Sequence, residues 1–246
     1  MHVLDLDLDC FITGIAHYKR DDGDRLSDAE YPPWGVQRFR DFLEKQCGLR
    51  RDQPVKGVVV REHIDIFRYW RQLIEEGKLV VRFEVTHVDA HSDMGMGIGN
   101  YGVGHIIYEL LLRDVEQRLI PGQDPRHIDS GNFLAFALAH RWISKLNFIY
   151  HPKYPVMDDY VGVLFRGFDP WGGYIQLKGY DKKKLIGSDL VGSPVEIWEP
   201  EIPFFQCSVD DFKLNGRVDI ATISNSPGYT PASADRLLEV FEEYIE

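Results

Sequence analysis

From its third residue the chain alternates leucine with aspartate: VLDLDLD, at 3–9, changes from apolar to acidic at every step. That period of two predicts a β-strand with its leucines on one face and Asp5, Asp7 and Asp9 on the other. A helical spacing follows around 34–47, then the β-branched run VKGVVVRE at 55–62 and an amphipathic helix through IDIFRYWRQLIEEG at 64–77. LVVRFEVTHVDAH at 79–91 reads as the longest strand. A glycine-rich loop leads from it to a helix over 104–119, GHIIYELLLRDVEQRL, and another fits SGNFLAFALAHRWISKL at 130–146. Strands alternating with helices predict an α/β fold, a three-layer α/β/α sandwich around a mainly parallel sheet.

Between about 148 and 216 the pattern turns to aromatics, glycines and prolines, with short strands such as YIQLKGY and VEIWEP. This predicts a β-rich insertion or excursion within a single domain spanning 1–246. VDIATIS at 218–224 returns to strand, and Thr230–Pro231 offers an N-cap and first-turn proline for a last helix ending at Glu246.

A chain of 246 residues, 44% of them hydrophobic, is long enough to bury its own core. Its net charge of −11 argues against nucleic acid or an anionic membrane as partner and leaves room for a cationic one. The short basic run KGYDKKK at 178–184 reads as a solvated turn. Three widely spaced cysteines, Cys10, Cys47 and Cys207, form no CxxC pair and suit a reducing compartment. No stretch approaches the roughly 20 apolar residues of a membrane span, and no basic, apolar leader opens the chain. A soluble, cytoplasmic protein is the expectation.

The polar half of HVDAHSD changes this bland picture. In an extended backbone Asp89, His91 and Asp93 share a face, with His87 behind them. Aspartate oxygen and imidazole nitrogen suit Mn²⁺, Fe²⁺ or Zn²⁺; the alternative is a polar strand end running into a turn. Asp5, Asp7 and Asp9 sharpen the choice: a solvated edge strand could carry them, but their apolar flanks suggest an interior strand, where aligned carboxylates persist as anions only beside cations. His63 follows the run VVVRE at a strand-to-loop transition. A lone histidine is usually a structural donor, and His63 counts only because the other groups do. In open parallel sheets ligands gather at the strands' carboxyl ends. Three such ends would bring together His63, Asp89, His91, Asp93, Asp7 and Asp9, enough for two metals sharing carboxylates.

DAHSD at 89–93 resembles the DAHxD motif of the arginase/deacetylase-like (ureohydrolase) superfamily, whose aspartates and histidine bind a dinuclear manganese centre. REH at 61–63 resembles that superfamily's histidine-bearing strand end, and LDLDLDCF its SxDxD strand end, with Asp5 in the serine's place and Asp7 and Asp9 in the metal-binding positions. Here the paired-aspartate strand opens the chain, whereas in ordinary arginases it follows DAHxD. That order, with GNFL at 131–134 and SPGYTP at 226–231, is most similar to a small uncharacterised family that includes peptide arginases of ribosomal-peptide biosynthesis. Residues 148–216 contribute almost nothing to the likeness.

The resemblance implies two Mn²⁺, or another divalent metal, and attack of an activated water on the guanidinium carbon of arginine within a peptide, leaving ornithine and urea. It implies proton transfer to the departing amine by Asp93 or Asp9. Two departures stand out. Where arginases carry GNLHG with its shuttle histidine, this chain reads GNYGVGH, so His105 comes three residues late, either entering from a helix start or serving structure there. The acid that holds the guanidinium also has no match, which leaves Asp129 first and Glu62 second as substitutes, against readings as a helix cap and a surface ion pair. Asn132 of GNFL and Tyr229 of GYTP complete the substrate-binding candidates. FRGFDPWGGY at 165–174 would give either a peptide groove or core packing and a dimer contact, and a homo-oligomer stays open. A metal-dependent deacetylase or other guanidino or amide hydrolase is the nearest rival, and a non-catalytic metal-binding scaffold the rival from another class.

Overall fold

The computed structural model describes residues 1–18, 25–97, 101–120, 123–154, 160, 162–166, 169–179 and 197–246. In chain order the strands are β1 (His2–Asp7), β2 (Lys56–Val60), β3 (Phe83–Asp89), β4 (Ile143–Tyr150), β5 (Tyr174–Ile175), β6 (Lys178–Gly179), β7 (Ile197–Trp198), β8 (Ile202–Ser208) and β9 (Ile220–Ser224). The helices are α1 (Val36–Asp41), α2 (Ile64–Glu75), α3 (Tyr101–His105), α4 (Val115–Arg118), α5 (Phe133–Ala139) and α6 (Arg236–Glu242). One seven-stranded sheet runs β2-β9-β1-β3-β4-β8-β5; β5 is antiparallel to β8 and the other neighbours are parallel.

The leucine–aspartate alternation has the structural meaning expected of it. Val3 joins a hydrophobic cluster with Ile66, Phe67 and Trp70 of α2 and Phe133 and Phe136 of α5. Leu4 and Leu6 join the opposite one, with Phe39 of α1 and Leu237 and Phe241 of α6. Successive strand residues point to opposite faces, so helices pack on both sides of the sheet and β1, flanked by β9 and β3, is buried throughout. Asp5 and Asp7 therefore lie on the α2/α5 side, as do His87 and Asp89 two and four residues beyond Val85 of β3.

Several boundaries differ from expectation. The helix expected over 130–146 stops at Ala139, and Ile143–Tyr150 forms an eight-residue strand, longer than the seven of β3. The apolar run is one sequence feature but two elements, because Arg141, at φ 60°, turns the chain between them. The helix expected over 104–119 is broken into α3, a π-helical turn at Ile106–Leu110, and α4. The stretch 148–216 is not wholly an insertion: β8 pairs with β4 inside the main sheet, and β5 extends it. Thr230 does not cap the last helix; its hydroxyl donates to the carbonyls of Asn225 (3.0 Å) and Ser226 (3.1 Å), and Pro231 takes the cap position of a 3₁₀ turn, Ala232–Asp235, ahead of α6. In FRGFDPWGGY, Phe165 is core and packs on Phe204, while Trp171 is 52% exposed. Residues 180–184 of the basic run, 195–196 of VEIWEP and 98–100 of the glycine loop lie outside the described residues. Among the described residues no helix is long and apolar enough to cross a membrane.

Candidate metal centre

The carboxyl ends of β1, β2 and β3 open on the same side of the sheet, and each delivers acid or imidazole. β1 ends at Asp7; the chain then tightens into a 3₁₀ turn, Leu8–Phe11, held by the Asp9 amide donating to Asp7 Oδ1 at 2.9 Å. Asp9 thus sits past the strand, against the expectation of a simple strand alternation. Its Oδ1 accepts from the Ala90 amide at 3.2 Å, which ties the end of β1 to the end of β3. β2 runs out through Arg61 and Glu62 to His63, the N-terminal cap position of α2. β3 ends at Asp89, whose Oδ1 accepts from the His91 amide at 2.7 Å. Asp93 follows at φ 50°, a left-handed conformation rare for a residue with a side chain. Its carbonyl accepts from the amides of Leu134 (3.0 Å) and Ala135 (3.3 Å) at the start of α5, and these bonds hold the turn.

These turns converge. His63 Nδ1 lies 3.0 Å from Asp7 Oδ2, 3.1 Å from Asp89 Oδ2 and 2.8 Å from Asp93 Oδ2. His91 Nδ1 lies 2.9 Å from Asp9 Oδ2 and 3.8 Å from Asp89 Oδ1, while its Nε2 donates to the Ala16 carbonyl at 3.1 Å. Asp7, His63 and Asp89 each bring a ligand atom within 4.8 Å of the others, and so do Asp9, Asp89 and His91. Asp89 belongs to both trios, as a bridging carboxylate would. All six residues expected as ligands, His63, Asp89, His91, Asp93, Asp7 and Asp9, therefore meet in one place. They line a cavity of about 170 Å³ with His17, Ser130, Gly131, Ser226 and Tyr229.

The fit to cations rests on two observations. His63 Nδ1, His87 Nε2, Asp89 Oδ2 and Asp93 Oδ2 are buried and have no hydrogen-bond partner. Orphaned buried polar atoms cost on the order of 1–3 kcal/mol each, more for charged groups. Charge gives the second: Asp5, Asp7, Asp9, Asp89 and Asp93 are buried, and the cluster's histidines, His63, His87 and His91, are too few to neutralise five carboxylates even if all were protonated. Burial, reinforced by the charges of Asp9, Asp93 and Asp7, pushes the Asp89 carboxyl well above the ordinary range; burial and then Asp9 raise Asp7. Burial also opposes ionisation of Asp5 and Asp9, yet both are held low, Asp5 by His63 and His87 and Asp9 by His91. His63 is held well above the usual imidazole range despite burial, chiefly by Asp5 and Asp93. Divalent cations with oxygen and nitrogen donors at this spot would resolve these conflicts.

The other candidates divide. Tyr229 lines the cavity and its ring meets His91 at 5.2 Å. Asn132 braces a loop: its Oδ1 accepts from the Asp129 amide (2.8 Å) and its Nδ2 donates to the His127 carbonyl (3.0 Å), so both ends of the amide are engaged away from the cavity. Asp129 Oδ1 accepts from the Gly131 amide at 3.0 Å, shaping the loop that carries Ser130 and Gly131. Neither Asp129 nor Glu62 is among the residues lining the cavity. His105 packs on Phe136 and lies 3.6 Å from Glu109, so the structure does not bring it to the cluster. Three contributors were missed. Ser226, at φ 46°, donates to Asp7 Oδ2 and shares a 2.9 Å bond with Ser224. Asp5 and His87 form a buried pair beneath the cluster, Nδ1 to Oδ2 at 2.9 Å. The alternation signal contained both members of that pair, since His87 and Asp89 share a strand face as Asp5 and Asp7 do. Ser226 opens the SPGYTP motif, but nothing in the sequence pointed its hydroxyl at Asp7. No protein-family model, curated protein or solved structure matches the chain.

Proposed function

We propose that the chain is a dinuclear metal-dependent hydrolase of arginase-like, three-layer architecture that converts arginine side chains in a peptide to ornithine with release of urea, using two Mn²⁺. The observation that carries this reading is Asp89, common to two acid–imidazole trios, buried except for a partly exposed His91, at the carboxyl ends of parallel strands. Asp7, His63 and Asp89 would hold one ion, and Asp9, Asp89 and His91 the other. When bound, such a pair makes a water nucleophilic near neutral pH and polarises the bond under attack.

The chain's own residues support the remaining steps. Asp9 Oδ1 accepts from the Ala90 amide at 3.2 Å and its Oδ2 lies 2.9 Å from His91 Nδ1, whereas Asp93 Oδ2 is buried without a hydrogen-bond partner. That favours Asp93 as the carrier that passes a proton to the departing amine. Five buried carboxylates against two divalent cations and neutral imidazoles leave one negative charge, a standing attraction for a guanidinium. The cavity, about 170 Å³, is smaller than the roughly 300–1,000 Å³ that encloses a whole small molecule, and so suits the head of a side chain whose backbone stays outside. Tyr229, beside His91, offers that head group an aromatic wall.

The test is urea release by the Mn²⁺-loaded chain from a panel of arginine peptides, beside free arginine and an acetyl-lysine peptide, with Asp89→Ala as control. Urea from at least one peptide, absent in the control, is expected. Acetate from the acetyl-lysine peptide with no urea from any substrate would replace this reading with a deacetylase, and neither product from a chain that holds metal would favour a scaffold.

A further inference from the structure

We propose that His87 is a further metal-facing donor of this centre and that Asp5 is the residue that positions it. The proposal rests on the metal-centre reading above and extends it one layer into the sheet.

Asp5 and His87 are register partners on adjacent parallel strands. Asp5 is fully buried, and its carboxylate is completely used: Oδ1 accepts from the Thr222 hydroxyl at 2.8 Å, while Oδ2 faces His87 Nδ1 at 2.9 Å and His63 Nε2 at 3.2 Å. An ionised carboxylate only accepts, so both ring nitrogens that face it carry the proton. The nitrogens that two histidines would offer a metal follow from one side chain: with the Asp5-facing nitrogens protonated, His63 would offer Nδ1 and His87 Nε2. His91 repeats the pattern with the Ala16 carbonyl as its acceptor. Such an acceptor on the far nitrogen is the usual companion of a metal-binding imidazole.

His87 Nε2 is buried, has no hydrogen-bond partner, and lies 3.4 Å from Asp89 Oδ2, which also lacks one. His87, Asp89 and Asp93 bring ligand atoms within 4.8 Å of one another. With Asp89 ionised, as a metal ligand must be, two desolvated electron pairs at that separation would repel, and a shared cation would reconcile them. The ring cannot turn away to find another partner, because Phe148 stacks on it at 5.8 Å and Phe133 meets its edge at 6.1 Å. A histidine serving only to fill the core would have both nitrogens satisfied or be replaced without consequence for the ions.

The experiment follows the imidazole ¹⁵N resonances of the full-length wild-type chain, stripped of metal and then titrated with Zn²⁺ as a diamagnetic probe. His87→Phe, which suits a pocket already walled by phenylalanines, identifies the signals by their loss. The expected result is a protonated Nδ1 in both states and an Nε2 that moves from a free lone pair to a coordinated nitrogen as Zn²⁺ binds. Asp5→Asn should scramble the His87 tautomer and, like His87→Phe, weaken Mn²⁺ binding about 10–100-fold. If Zn²⁺ shifts His63 and His91 but leaves His87 Nε2 unmoved or doubly protonated, this inference falls and the centre stands. If Zn²⁺ and Mn²⁺ bind nowhere, both fall together.

Discussion

Replacing Asp89 by asparagine should have opposite effects with and without metal. In the metal-stripped chain Asp89 is a buried carboxyl raised by burial and by Asp9, Asp93 and Asp7. Its folded value exceeds its unfolded one, so the folded state binds the extra proton and stability falls as pH rises above the unfolded value. Asparagine keeps the oxygen that accepts from the His91 amide at 2.7 Å and removes the charge carried on the unpartnered Oδ2. At pH 8 the stripped variant, relieved of an unpartnered buried carboxylate oxygen, should therefore be more stable than wild type by on the order of 1–3 kcal/mol. At Mn²⁺ about 100 times the dissociation constant the wild type gains about 2.7 kcal/mol per ion bound, which for a chain of this length is roughly 5–11 °C in Tm for each. The variant lacks the carboxylate common to both trios, and should gain less than about a third of that. Thermal unfolding followed by fluorescence over a Mn²⁺ titration at pH 8 reads both effects, and the two curves should cross. An equal Mn²⁺ shift in both chains, or a stripped variant less stable than wild type, would refute the reasoning.

Other predictions concern the same cluster. The stripped chain should lose stability as pH rises through neutrality, because Asp7, Asp89 and His63 all have raised folded values and lose bound protons there; Mn²⁺ should flatten that slope, and urea unfolding between about pH 5 and 9 measures it. At the acid end the lowered Asp5 and Asp9 reverse the trend, so stability should decline again below about pH 4. Ser226→Gly tolerates φ 46° but removes the hydroxyl on Asp7, and should weaken Mn²⁺ binding about tenfold with little change in fold, as read by the free-Mn²⁺ paramagnetic resonance signal. Gly97→Ala places a Cβ 2.1 Å from Asn132 Nδ2 and 2.7 Å from Asp129 Oδ2 at φ +72°, so it should cost at least about 1–3 kcal/mol in chemical denaturation.

The strand order of the centre was legible wherever one residue type carried one message. Leu–Asp alternation placed Asp5 and Asp7 on one face because a period of two permits nothing else, the apolar flanks suggested that the face is interior, and the spacing of Asp89, His91 and Asp93 marked a strand end. His63 was harder, since a lone histidine after a β-branched run acquires meaning only when β2 and β1 are brought together around β9, a long-range fact. Asp9 reached the right place by a different route, a 3₁₀ turn held by its own amide and Asp7, so the residue was identified but its backbone was not. The split at Arg141 was not legible, because SGNFLAFALAHRWISKL keeps its hydrophobicity across a turn that only the backbone conformation reveals. His105, Asp129, Glu62 and Asn132 were chosen by distance along the chain from a motif. Local hydrogen bonding and packing decided their positions, and the structure gives Asn132 and His105 partners away from the cavity.

The most direct measurement is the number of divalent ions held per folded chain. After metal stripping, reloading with Mn²⁺ and exhaustive dialysis, elemental analysis should find two manganese ions per wild-type chain, and one or fewer in folded Asp89→Ala. One ion or none in the folded wild type would contradict the shared-carboxylate centre.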